Sequence, residues 1–144
     1  MTVAAILKHK GSEVISVTPD VTVAELTRVL SAKRIGAVPV VDGTGQLLGI
    51  ISERDVMYAL AVHGARTLEM TAAKLMTPEP RTVLRRTTVA EATAIITESR
   101  FRHLPVVEGG VLVGIVSIGD VVKARIMQQE YEVDSLKAYV ASSG

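Results

Sequence analysis

The sequence predicts a mixed α/β (α+β) fold made of two similar units, because almost the same residue pattern occurs twice within 144 residues. Pro39 recurs as Pro105 at an offset of 66 residues, and Asp55 recurs as Asp120 at an offset of 65, so the second copy has lost one residue in its turn. A repeat of this extent indicates two units stacked about a pseudo-two-fold axis, with any clefts between them formed in pairs.

Each unit has the predicted element order β-α-β-β-α. A short strand at residues 14–17 precedes a helix capped by Thr22, and Thr88 caps the equivalent helix of the second unit. Two β-branched runs joined by a Gly-containing turn then predict a hairpin over residues 37–51 and another over residues 104–116. Apolar residues mark one face of each capped helix, at Val23, Leu26, Val29 and Leu30 and again at Val89, Ala92, Ile95 and Ile96.

The predicted boundaries are 1–66 for the first unit with its N-terminal lead-in, 67–127 for the second unit and 128–144 for a C-terminal tail helix. A unit of about 60 residues buries too little apolar surface to be stable alone, so the two units are expected to fold together as one module. The tail has an apolar edge, which either folds back on its own domain or contacts a second copy. Tyrosine is favoured at interfaces, so we favour a homodimer contact. The edge consists of Tyr131, Val133, Leu136, Tyr139 and Val140.

The composition excludes several classes of function. With 48% hydrophobic residues and a net charge of +1, the chain does not resemble a protein that binds nucleic acid through bulk charge. Cysteine is absent, and His9 and His63 have no partner at ligand spacing, so no disulfide and no metal site is predicted. Neither a signal peptide nor a run of about 18 apolar residues occurs, which predicts a cytoplasmic protein that does not enter membranes.

Two Ser-x-x-Asp motifs, Ser52 to Asp55 and Ser117 to Asp120, each follow an apolar strand and open a helix. One interpretation is a capping box that binds nothing, in which Ser accepts from a helical amide and Asp offsets the terminal partial charge. The other is a nucleotide site, since a helix N-terminus attracts phosphate and a nearby carboxylate accepts from ribose hydroxyls. The motif alone leaves both open.

Basic residues cluster near these motifs. Arg34 precedes one central strand, Arg100, Arg102 and His103 precede its equivalent, and Arg54 lies inside the first motif. Arginine grips phosphate oxygens with a bidentate fork, and histidine adds a donor whose charge depends on pH. Arg34 and Arg100 also suit the solvated ends of helices.

Catalytic signatures are absent from the sequence. It contains no phosphate-binding loop with Gly-Lys-Ser/Thr, no His-Glu-x-x-His and no Gly-x-Ser-x-Gly. Gly43, Gly45 and Gly49 lie in a hairpin rather than in a strand-to-helix turn, so turn geometry explains them. No catalytic residue and no catalytic cofactor is predicted.

The doubled pattern resembles a tandem pair of CBS domains, the stand-alone regulatory module also called a Bateman module. The resemblance extends over residues 14–123, and its markers are residues 35–42 with 48–55 and residues 102–107 with 112–120. It implies two pseudo-symmetric β-α-β-β-α units packed through their sheets, with two nucleotide clefts between them.

The resemblance also implies that the Ser-x-x-Asp motif of one unit faces backbone and apolar side chains of the other. Gly36 stands near the place where Arg102 or His103 would supply charge, which disfavours phosphate in the second cleft and favours adenosine-like or uncharged ligands. The first site would comprise Ser52, Arg54, Asp55, Pro80, Arg81, Thr82, Arg102 and His103. The second would comprise Val14, Ile15, Ile35, Gly36, Ser117 and Asp120.

The predicted function is a non-enzymatic regulatory or sensor module that binds an adenine nucleotide, namely AMP, ADP, ATP or NAD, and signals through a homodimer to an unidentified protein. The alternative is a protein-interaction module with vestigial or empty nucleotide clefts. An enzyme is the least favoured class.

Overall fold

The computed structural model describes residues 1–11 and 13–143, and it has the mixed α+β fold that the sequence predicts. The helices are α1 (Val3–Lys10), α2 (Val23–Lys33), α3 (Glu53–His63), α4 (Ala72–Leu75), α5 (Val89–Ser99) and α6 (Ile118–Ser143), with a 3-10 turn at Gly64–Glu69. The strands are β1 (Ala37–Val41), β2 (Leu47–Ser52), β3 (Thr77–Pro78), β4 (His103–Glu108) and β5 (Val111–Ser117).

The two predicted hairpins form two small antiparallel sheets. Strands β1, β2 and β3 make the sheet of the first unit, and β4 and β5 make that of the second. The hairpin ends bond to each other across the pseudo-two-fold axis, because the Leu47 amide donates to the Gly110 carbonyl at 3.2 Å and the Leu112 amide donates to the Gly45 carbonyl at 3.1 Å. These bonds join the two sheets at one end.

The strand predicted at residues 14–17 is wrong in extent. Only Val17 pairs, in an isolated parallel bridge to Val40, and Val83 pairs with Val106 in the same way in the second unit. Val17 donates to the Pro39 carbonyl and accepts from the Val41 amide, so the next bond of the parallel ladder, to residue 15, would need the amide of residue 39. Pro39 has no N–H, and Pro105 stands in the same place in the second unit, so neither ladder extends to the residues before the bridge.

The predicted caps of the central helices are confirmed. The Thr22 hydroxyl accepts from the Glu25 amide at 3.2 Å, and the Thr88 hydroxyl accepts from the Glu91 amide at 3.0 Å. Each such bond satisfies an amide that the helix itself leaves unpaired, which contributes about 1 kcal/mol. Both helices end at an arginine in the left-handed region, Arg34 (φ 53°) and Arg100 (φ 63°), which turns the chain towards β1 and β4.

The lead-in segments are exchanged between the units. The core of the first unit, around Leu26 and Ile51, includes Ala72 of α4. The core of the second unit, around Leu104, includes Val3 and Ile6 of α1. Helix α1, which the predicted boundaries place with the first unit, therefore packs in the core of the second, and α4 packs in the core of the first.

Two equivalent glycines leave room for these exchanged segments. A Cβ on Gly49 would lie 2.8 Å from the Thr77 carbonyl oxygen, and a Cβ on Gly114 would lie 2.7 Å from Leu7 Cδ2. Real Cβ atoms do not approach other atoms this closely, so a larger residue at Gly49 would push the backbone of Thr77 away, and one at Gly114 would force the Leu7 side chain to move.

Helix α6 has two different halves. Val121 and Ala124 are buried in the second core, whereas residues 129–142 are all exposed. The tail is thus the second half of α6 rather than a separate helix, and the interpretation that it folds back on its own domain is wrong. Among the helices in residues 1–11 and 13–143, none combines the length and apolar character needed to cross a membrane.

Candidate functional site

Two clefts lie between the units, one on each side of the pseudo-two-fold axis. We call cleft one the cleft that contains Ser52 and Asp55, and cleft two the cleft that contains Ser117. Each cleft opens beside the N-terminus of the last helix of a unit, α3 in cleft one and α6 in cleft two. Both clefts take their walls from both units, as the resemblance implies.

The Ser-x-x-Asp motif of cleft one forms a complete capping box. The Ser52 hydroxyl accepts from the Asp55 amide at 3.2 Å, and Asp55 Oδ2 accepts from the Ser52 amide at 2.8 Å. Within the described residues, Asp55 Oδ1 makes no hydrogen bond, although the residue lines the cleft. The capping role is therefore present, and one carboxylate oxygen stays available to a ligand.

Cleft one collects three arginines from both units. Arg54 comes from the first turn of α3, while Arg100 and Arg102 come from the segment that enters β4. In the part of the chain that the structure describes, the ion pairs are Lys10 with Asp120 and Lys33 with Glu13, so these three guanidinium groups have no carboxylate partner. A cleft with three unpaired guanidinium groups is suited to an anionic ligand.

The structure brings only part of the first predicted site together. Ser52, Arg54, Asp55, Arg102 and His103 line cleft one. Pro80, Arg81 and Thr82 do not line it, and Thr77 of β3 does so instead. The reason is that β3 pairs with β2, after which the chain turns at Glu79 (φ 47°) and leads away.

An ion pair that the sequence did not reveal lies beside cleft two. Lys10, at the end of α1, donates from Nζ to Asp120 Oδ2 at 2.8 Å and to the Ile115 carbonyl at 3.0 Å. The same Asp120 oxygen accepts from the Ser117 amide at 2.9 Å, so the second capping box is formed as well. Lys10 therefore pairs with the Asp120 carboxylate through Oδ2, the oxygen that the Ser117 amide already uses, and within the described residues Oδ1 makes no hydrogen bond.

The charge state of Asp120 follows from these contacts. Burial raises the pKa of the Asp120 carboxyl, but the hydrogen bond from Lys10 and those from Ser117 outweigh it, and the net pKa lies below the usual value. Asp120 is therefore ionised at neutral pH and paired with Lys10.

The residues predicted for the second site are divided. Ile15, Ile35, Gly36 and Ser117 line cleft two, whereas Val14 and Asp120 do not. Asp120 reaches the cleft only through Lys10, which lines it. Sequence reasoning did not assign six further lining residues to this cleft, namely Lys10, Glu13, Arg34, Ala37, His103 and Ile115. No sequence signal identifies Lys10, because its place depends on the exchange of α1 between the units.

His103 lies between the two clefts and lines both of them. The imidazole lies against Gly36. A Cβ atom placed on Gly36 would be in van der Waals contact with His103 Nε2 and with Glu53 Oε1, each at 3.5 Å. Burial, and then the charge of Lys10, lower the pKa of His103 below its ordinary 6.5. The imidazole is therefore neutral at neutral pH, and the positive charge of cleft one comes from the arginines.

His103 is expected to make stability depend on pH just below 6.5. Because its pKa is lower in the folded state than in the unfolded state, the unfolded chain binds more protons there, and the free energy of unfolding falls as pH falls from 6.5 through the folded pKa. His103→Gln should flatten that part of the profile in urea unfolding across pH 6.5, whereas His63→Gln, at an exposed position, should not. An unchanged profile in His103→Gln would show that the dependence arises elsewhere.

Comparison with known proteins gives the family. The model of the CBS domain matches residues 5–62 and 72–127. The chain is similar to the CBS domain-containing protein CBSX3, mitochondrial, of Arabidopsis thaliana, at 33% identity over 96% of this chain and 71% of that protein.

Solved structures are similar over nearly the whole module. The CBS-domain containing protein ATU1752 from Agrobacterium tumefaciens is 44% identical with a TM-score of 0.83, over 87% of this chain and 99% of the other. CBSX2, solved in complex with AMP, is 26% identical with a TM-score of 0.78, over 89% of this chain and 98% of the other. With two matched copies, two inter-unit clefts and these structural neighbours, the chain belongs to the CBS domain family and carries two CBS domains in tandem.

Proposed function

We propose that the protein is a non-enzymatic regulatory module that binds an adenine nucleotide in cleft one. The observation that carries the proposal is the combination of three unpaired arginines with the available Oδ1 of Asp55 in a single inter-unit cleft. The AMP complex of CBSX2, a structure of the same family, supports this choice of ligand class.

The proposed pose divides the ligand between the two units. Asp55 accepts from the ribose hydroxyls, and the N-terminal partial charge of α3 faces the phosphate. Arg100 and Arg102 reach the phosphate from the second unit. The base lies against the wall around Gly36 and Ala37, where the small side chains leave space for a ring. AMP, ADP, ATP and NAD all present these groups.

Cleft two is proposed to take an adenosine-like or uncharged ligand, or none. Any ligand that uses Asp120 must share the carboxylate with Lys10, which is bonded to Oδ2 and neutralises its charge. This observation favours, for cleft two alone, the alternative of a vestigial cleft in a protein-interaction module.

Regulation is proposed to pass through a homodimer to a protein partner. A ligand shifts a protein between two states only by its difference in affinity for them, so the relay requires that nucleotide and partner prefer the same state. A cytoplasmic location stays part of the proposal.

Adenine nucleotides are expected to raise the melting temperature. A ligand that binds only the folded state at about 100 times its dissociation constant adds roughly 2.7 kcal/mol to the free energy of unfolding. At about 2–4 °C per kcal/mol this is a shift of several degrees. Scanning fluorimetry with AMP, ADP, ATP, NAD and GMP as the base control measures it, and calorimetry gives the stoichiometry. A melting curve that none of the four moves, with no heat in calorimetry, would leave the interaction module as the function.

A further inference from the structure

Helix α6 carries an exposed apolar stripe, which we call the α6 seam and which consists of Val122, Ile126, Val133 and Leu136. Between 50% and 63% of each of these side chains is exposed. Their positions follow the heptad spacing, with Ile126 and Val133 at position a and Val122 and Leu136 at position d. Val140 continues position a in the sequence, and Gln129 occupies the d position between the two apolar ones.

The C-terminal half of α6 lacks the tertiary packing that normally maintains a helix. Residues 129–142 are all exposed, and an isolated helix shorter than about 12–15 residues is marginal in water. The exposed half of α6 carries part of an apolar stripe, and such a stripe is expected to be buried against a partner.

The seam faces away from the body of the protein. Val121 and Ala124 point into the core of the second unit. At 3.6 residues per turn, Val122 and Ile126 lie on the opposite side of the helix from them. Two copies can therefore join along their seams with both bodies on the outside.

The charges beside the seam identify a second copy as the partner. In a parallel pair, Arg125 at position g lies beside Glu130 at position e of the other copy, and Glu132 at g lies beside Lys137 at e. Both contacts are attractive, and symmetry forms each one twice. All four side chains are exposed and have no ion-pair partner within the described residues.

The opposite orientation fits less well. In an antiparallel pair with full overlap of the seams, Lys123 would lie beside Lys137 of the other copy, and Glu130 would lie beside its own equivalent. Like charges at these flanking positions disfavour that pairing. Within a parallel pair, β-branched Ile126 and Val133 at a with Leu136 at d favour two strands over three or four.

We propose that α6 of two copies forms a parallel, in-register two-stranded coiled coil along residues 122–140, with Gln129 as its polar layer. The inference rests on the proposed homodimer and specifies its interface and orientation.

Cysteine cross-linking tests the orientation, because the chain contains no native cysteine. Val122→Cys and Leu136→Cys should each give a disulfide-linked dimer on mild oxidation, since a parallel in-register pair places each position beside its own equivalent. Tyr131→Cys lies on the outer side of the helix and serves as the matched control, which should stay uncross-linked. Cross-linking of neither seam variant, or equal cross-linking of all three, overturns the proposal.

A charge exchange tests the flanking pairs in the full chain. In the dimer, Glu130→Lys places a lysine of each copy beside Arg125 of the other copy. The like charges should raise the dimer dissociation constant, measured by analytical ultracentrifugation, on the order of 10-fold. Adding Arg125→Glu to the same chain should restore it, since the exchanged pair is again complementary. A double variant as weak as the single one contradicts the parallel pairing.

Leu136→Asp separates the interface from nucleotide binding. It should abolish the dimer while calorimetry with AMP still shows the cleft one event, because the seam lies outside both clefts. An unchanged dimer in Leu136→Asp, or a monomeric parent chain, refutes the coiled coil whether or not AMP binds. Absence of AMP binding in a chain that cross-links at Val122→Cys and Leu136→Cys refutes the proposed function and supports the interface.

Discussion

Asp55→Ala is expected to weaken nucleotide binding in cleft one by roughly 5- to 150-fold. The change removes the carboxylate oxygen that faces the cleft and leaves the ribose hydroxyls without an acceptor, a loss of about 1–3 kcal/mol. It also removes half of the capping box between Asp55 and Ser52. Asp55→Asn is the companion variant, since its amide oxygen can still accept from the Ser52 amide while the charge is gone. Calorimetry with AMP measures both.

The second half of this prediction concerns the crossed walls of the clefts. Arg102 comes from the second unit yet lines the same cleft as Asp55, so Arg102→Ala should weaken the same binding event. Asp120→Ala should leave that event intact and affect any event in cleft two, because Asp120 holds Lys10, which lines that cleft. Asp134→Ala, on the exposed half of α6, is the control and should change neither. If Arg102→Ala instead depletes the event lost with Asp120→Ala, the assignment of Arg102 to cleft one is wrong.

Leu26→Ala is expected to lower the free energy of unfolding by about 2–5 kcal/mol. Leu26 is fully buried in the first core, so the truncation removes apolar contacts and leaves a cavity that the surrounding side chains fill only in part. Leu104→Ala should have an effect of the same size in the second core. Val62→Ala, at a site 76% exposed, should stay within about 0.5 kcal/mol of the parent.

Both core variants are expected to unfold in one transition, because each core is completed by a segment from the other half of the chain. Urea unfolding followed by circular dichroism should show a single transition, and the calorimetric and van't Hoff enthalpies of thermal unfolding should agree. Two separated transitions in Leu26→Ala would show that the units unfold independently despite the exchanged helices.

Local patterns predicted the parts of the fold that depend on neighbouring residues. The Thr22 and Thr88 caps and both hairpins could be read from residue types at fixed spacing, and the structure forms them. The strand at residues 14–17 was predicted from β-branched composition alone. Composition does not show which residues of a predicted strand have a hydrogen-bonding partner on a neighbouring strand. In this segment only Val17 has one, which is Val40 of β1.

The site was predictable where the repeat itself positions the residues. Ser52 and Asp55 follow from the duplicated motif, the resemblance to the family adds Arg102, and the structure brings all three to one cleft. Lys10 was beyond prediction, because its contact with Asp120 spans 110 residues and depends on which unit receives α1. The position of residues 80–82 was missed because the pairing of the two-residue strand β3 redirects the chain before them.

The exchange of lead-in segments has a consequence for synthesis on the ribosome. Helix α1 is made first, but the core that receives Val3 and Ile6 includes Val121 and Ala124, which are made among the last residues of the module. Because translation adds about 5–20 residues per second, the apolar face of α1 stays exposed for several seconds before the residues that bury it have been synthesised. During that interval α1 can be received by the second unit of a neighbouring nascent chain. Polysomes crowded with this message would therefore favour interlocked chains over separate ones.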